Sequence, residues 1–133
     1  MKSLTGTWRL IKTECITADG TKLEPPYGGT SAMGLVSMSA SGRLVCVLCD
    51  SRENPPGSSR EYNSYCGAYN YDGKQLTTRV DVSANASWVG TDQIRDVSFE
   101  GEVMVLKPTQ NTGPVSDGQR VLYWVRLPDV DNG

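Results

Sequence analysis

The stretch TDQIRDVSFEGEVMVLK, residues 91–107, decides the reading of the fold. Gln93, Arg95, Val97 and Phe99 alternate with Ile94, Asp96, Ser98 and Glu100, so the two sets stand on opposite faces of an extended chain. Glu100-Gly101-Glu102 interrupts the run with a tight reversal, and a second β-rich run follows at once, which is the pattern of a hairpin. Val97 and Phe99 are the larger apolar groups, so their face is expected to look inward. Arg95 shares that face and is expected inside, near the end entered from Trp88.

Working outward, the same grammar covers the chain. Helical periodicity is nearly absent, and short β-rich runs alternate with Gly, Pro, Asn and Asp. Strands are expected at 5–17, 33–39, 43–50, 64–71, 75–83, 93–100, 102–107 and 119–127. Asp72-Gly73 and Ser41-Gly42 mark further tight turns. Eight strands joined mostly by hairpins favour an all-β, eight-stranded antiparallel up-and-down barrel, since closure removes the exposed edges. Such a barrel has an interior about large enough for one small ligand. The longer connections, 20–32, 51–63, 84–92 and 108–118, alternate with hairpins and are expected to gather at one end as a mouth. Residues 1–133 read as one domain.

Composition narrows the function. A net charge of −2 argues against an electrostatic nucleic-acid binder. No apolar run is long enough to span a membrane, and the N-terminal residues lack the apolar core of a secretory signal, so a cytoplasmic protein is expected. The chain has no histidine, which excludes Ser–His, Cys–His and His–metal mechanisms. Cys46 and Cys49 have metal-like spacing, but they fall in a strand where an offset of three puts the sulfurs on opposite faces. Neither a metal site nor a cofactor is expected.

GTWRL at residues 6–10 resembles the Gly-x-Trp signature of lipocalins. Together with SASGRL (39–44), YCGAY (65–69) and WVGTDQIRDVSFEG (88–101), it resembles the bacterial and fungal lipocalin-like domain family over nearly the whole chain. Relatives often carry a helical insertion after the third strand, whereas SRENPPGSSREYNS has two prolines and no apolar periodicity. The resemblance implies that Trp8 points into the barrel at its closed end, with Arg126 packed over it.

Several residues then carry candidate chemistry. If strand alternation continues past Trp8 and Leu10, Lys12 and Glu14 also face inward; if the strand bends after Ile11, both are solvated. Arg95 is suited to a carboxylate, phenolate or enolate, or else forms an ion pair with Asp81 or Glu14. On the next strand back, Leu76, Thr78, Val80 and Val82 are expected inward, with Arg79 and Asp81 in solvent. Tyr65, Tyr69 and Tyr71 share a face beside Gly67 and serve either as core or as a wall for a flat ligand. Trp88 is either a plug or a wall of the mouth.

The expected function is binding of a small hydrophobic or aromatic, optionally anionic, molecule in the barrel. Lys12, Tyr65, Trp88, Gln93, Phe99 and Trp124 are its expected contacts. The alternative is a cofactor-independent isomerase or cyclase of polyketide-like natural-product biosynthesis, with Glu14, Arg95 and Tyr69 as its catalytic groups. That alternative rests on analogy with other small lipocalin-like barrels. The expected partner is a small molecule, with a homodimer left open; nucleic acid and membrane are not expected.

Overall fold

The computed structural model describes residues 2–55, 57, 60–108 and 118–130. The strands are β1 (Gly6–Ile16), β2 (Lys22–Leu23), β3 (Ala32–Met38), β4 (Arg43–Asp50), β5 (Tyr62–Tyr71), β6 (Gln75–Ser83), β7 (Asp92–Glu100), β8 (Val103–Pro108) and β9 (Gln119–Arg126). Eight of them pair in chain order, all antiparallel, and β1 pairs with β9 to close the sheet into an up-and-down barrel. The two-residue β2 is an outlier pairing on the end of β1.

Short hairpins at 39–42, 72–74 and 101–102 lie at one end of the barrel. The segments before β3, between β4 and β5, and between β6 and β7 lie at the other. The expected connection at 108–118 falls almost wholly outside the described residues. Two short 3-10 segments, the kinked Pro26–Ser31 and the single-turn Ala86–Trp88, stand at the long-loop end.

The hairpin end is closed by packing. Trp8, Met38, Leu44 and Met104 are at most 2% exposed there. Each such burial contributes about 1.5–3 kcal/mol. Arg126 lies over the Trp8 ring at 4.3 Å, and its guanidinium donates to the carbonyls of Ser3 and Thr5. Trp8 in turn donates its Nε1–H to the Leu4 carbonyl at 2.9 Å. Gly6 explains its own place in the Gly-x-Trp signature. A Cβ there would lie 2.7 Å from Arg126 Nη1, and the residue's φ of +130° also favours glycine.

Two bulges break the alternation read from sequence. On β1, Leu10 faces Trp124 while Lys12 faces Tyr123, so Ile11 is one residue too many. Trp8 and Leu10 point inward, but beyond the bulge it is Thr13 and Cys15 that are buried, and Lys12 and Glu14 stand on the outer face. On β6, Val80 faces Gly67 and Val82 faces Cys66, leaving Asp81 extra. Val82, expected inward, is consequently 62% exposed. Gly67 permits this geometry, because a Cβ there would meet the Arg79 carbonyl oxygen at 2.0 Å.

Candidate functional site

The long-loop half of the barrel holds a cavity of about 140 Å³. Inward positions of β9 build one wall: Arg120, Leu122 and Trp124 follow each other at intervals of two. Cys46 and Leu48 come from β4 by the same rule, Tyr65 from β5, Arg95 from β7, and Leu106 and Pro108 from β8. Tyr27 and Trp88 reach in from the two 3-10 segments. Tyr27 holds a left-handed backbone (φ 57°), and its N–H donates to Glu61 Oε1 at 2.5 Å. The sequence of the loop contains no signal that would have found it.

Arg95 is the cationic group at the cavity that lacks an acidic partner among the described residues. Asp81 is taken by Arg43 at 2.8 Å and Glu14 by Lys22 at 3.4 Å, so neither is the ion-pair partner considered from sequence. Arg95 instead donates Nη2–H to Gln93 Oε1 at 2.6 Å and Nη1–H to the Ile94 carbonyl at 2.9 Å. These bonds orient the guanidinium without neutralising it, and they make Gln93 a positioning residue. The second arginine, Arg120, lies 3.5 Å from Glu61 and is more than half exposed.

Aromatic groups line the wall near Arg95. Trp88 packs edge-on against Tyr65, with ring centroids 5.8 Å apart. Tyr65 stands directly across from Cys46 on the neighbouring strand. Burial pushes the Cys46 thiol up to about 12 and drives the Tyr65 phenol well above its usual range, opposed in both cases by the Arg95 charge. Burial also raises Tyr27, against the pull of Arg120. All three groups therefore hold their protons at neutral pH. Trp124 is 1% exposed, and its Nε1–H has no acceptor among the described residues.

The structure thus brings Arg95, Tyr65, Trp88 and Trp124 to the cavity, sets Gln93 against Arg95, and leaves Lys12, Glu14, Tyr69 and Phe99 elsewhere. Glu14 is outside the barrel, where it accepts from Tyr123 Oη at 2.6 Å. That bond, aided by Lys22 and Lys12, keeps its carboxyl below the usual range. Lys12 sits beside it, 4.4 Å above the Tyr123 ring. Phe99 packs against Trp8 at the closed end, and Tyr69 donates to the Ser39 carbonyl beside the 39–42 hairpin. Neither borders the cavity. Arg79 and Asp81 are in solvent as expected, but they do not pair with each other: Arg79 pairs with Asp92 on the adjacent β7, and Asp81 reaches past β5 to Arg43 on β4.

Cys46 lies inside and Cys49 on the outer face, and Cys46, Cys49 and Cys66 are thiols outside any disulfide. No group of three or more potential metal-ligating His, Cys, Asp or Glu side chains occurs among the described residues. No helix among them is long and apolar enough to cross a membrane.

A closed eight-stranded up-and-down barrel with a cavity at the long-loop end defines the class to which this protein belongs, a lipocalin-like barrel. The sequence profile of the lipocalin-like domain matches residues 5–127, and the chain belongs to that family. A comparison with curated proteins gave no match.

Proposed function

We propose that the protein binds a small aromatic acid, with its ring in the barrel cavity and its acid group on Arg95. The observation that carries this reading is a half-buried guanidinium facing an otherwise largely apolar cavity with no carboxylate to pair with among the described residues. A guanidinium partly removed from water is best satisfied by a planar anion, which it grips through two parallel hydrogen bonds. Leu48, Leu106 and Leu122 supply apolar area, while Trp88 and Tyr65 offer ring faces and edges. The family's barrel fold supports a small hydrophobic ligand in general terms.

The isomerase or cyclase alternative loses its proton carriers. Glu14 stands outside the barrel, Tyr69 lies near the closed end, and Tyr65 is held protonated. Binding is the reading that these placements support best.

Calorimetric titration with benzoate and its neutral counterpart benzamide tests it. Benzoate is expected to bind at least about tenfold more tightly, the size of one charge-assisted hydrogen bond. Arg95→Ala should erase that preference while leaving the melting temperature nearly unchanged. Equal affinities for the two compounds, or a preference that survives the substitution, would overturn the proposal.

A further inference from the structure

The outer wall of the barrel carries a second feature, independent of the cavity. Met33 and Leu35 on β3 and Val45 and Val47 on β4 point outward and are 47–50% exposed. Tyr62 on β5 and Val82 on β6 reach 59% and 62%. The register makes these groups neighbours. Leu35 faces Val47, Cys66 lies between Val45 and Val82, and Cys49 lies between Met33 and Tyr62. Apolar side chains scattered singly over a surface are ordinary, whereas a continuous patch across four adjacent strands marks an interaction surface.

The opposite wall shows how the chain treats an outward apolar face that it keeps for itself. Val105 on β8 and Val121 and Tyr123 on β9 alternate with inward neighbours, yet they are at most 9% exposed. Ile11 and Val103 pack against them, and the Lys12 ammonium lies 4.4 Å from the centre of the Tyr123 ring. Nothing comparable covers the β3–β6 wall among the described residues.

Size and charge point to one occupant. The six exposed side chains present on the order of 500 Å², near the upper end for the largest apolar patch of a monomer and most of the roughly 800 Å² that each partner gives to a standard interface. No charged side chain stands inside the patch. Arg9 lies at its edge, across from Leu35, and Arg43 and Asp81 neutralise each other at 2.8 Å beside Val45 and Val82. A strongly charged partner finds no complement there. In a two-fold dimer a patch meets its own copy, so its centre must carry no net charge, and this one satisfies that requirement. Sheets stack face to face about 10 Å apart, a spacing at which such side chains interdigitate.

We infer that the outer face of β3–β6 is a dimer interface, on which a second copy of this chain packs the same strands about a two-fold axis. The inference does not depend on what the cavity binds.

Sedimentation velocity from micromolar to hundreds of micromolar protein tests it. Wild type is expected to reach the mass of two chains. Val47→Lys is expected to raise the dimer dissociation constant at least about a hundredfold, because each interface then holds two like charges. Leu35→Lys, on the neighbouring strand, should do the same. Both positions are about half exposed, so the circular dichroism spectrum should match that of wild type. A wild type that stays monomeric throughout overturns the inference, whether or not the variants fold. A dimer that survives both substitutions in folded protein also overturns it, since another surface then holds the copies together. Monomeric wild type that co-sediments with phosphatidylcholine vesicles, and loses this in Val47→Lys, assigns the patch to a membrane surface and overturns it as well.

Discussion

Trp8 and Trp124 are both at most 2% exposed and both face the barrel interior, yet they do opposite jobs. At the closed end, Trp8 has every need met: its N–H bonds Leu4, Arg126 covers its ring, and Phe99 packs beside it at 6.4 Å. Beside the cavity, Trp124 keeps a buried indole donor without a partner among the described residues. A barrel end that is satisfied stabilises the fold. A cavity with a cation lacking an acid is stabilised further by an anion that enters it.

The largest effect that could break this contrast is at Trp8. Trp8→Ala should cost about 3–5 kcal/mol in denaturant unfolding, because a large, fully packed side chain leaves a cavity behind. A cost near zero would mean that the closed end is not the stabilising half. Next in size is a matched pair. Trp8→Phe should cost about 0.5–1.5 kcal/mol more than Trp124→Phe, since only the first gives up a hydrogen bond. Equal costs would show that Trp124 is as well satisfied as Trp8.

The smallest effect concerns the mouth alone and depends on pH. Asp50 is 2% exposed, and Arg52 grips its carboxylate with contacts of 2.5–3.1 Å, holding its pKa down to about 2. A depressed carboxylate stabilises the fold above its unfolded value near 4, and that stability is lost as pH falls toward 2. The gap in melting temperature between wild type and Asp50→Asn should therefore narrow from about pH 5 to about pH 2. A constant gap would mean that the pairing contributes nothing through ionisation.

Much of this was legible in the sequence, for identifiable reasons. Alternation along residues 93–99 placed Arg95 on an inward face, and Gly-Thr-Trp marked the closed end. Arg120 could have been found in the same way, because it shares the period-two face of Leu122 and Trp124. Tyr27 could not, since a loop residue carries no periodicity. Lys12, Glu14 and Val82 were read on the wrong face or left open for one reason: strand alternation holds only until a residue is inserted.

The sequence by itself determined the eight barrel strands, the tight turns and the closed up-and-down order, though not the two-residue β2, because period-two patterning and turn residues act locally. It also determined which chemistries were absent, because no histidine stands anywhere in the chain. Only the tertiary structure decided where Ile11 and Asp81 bulge, for a bulge is set by register against β9 and β5. Those two extra residues turn Lys12, Glu14 and Val82 outward. The cations that remain around the cavity are Arg95 and Arg120, gathered from strands far apart in the chain, because closing the barrel brings their inner faces together.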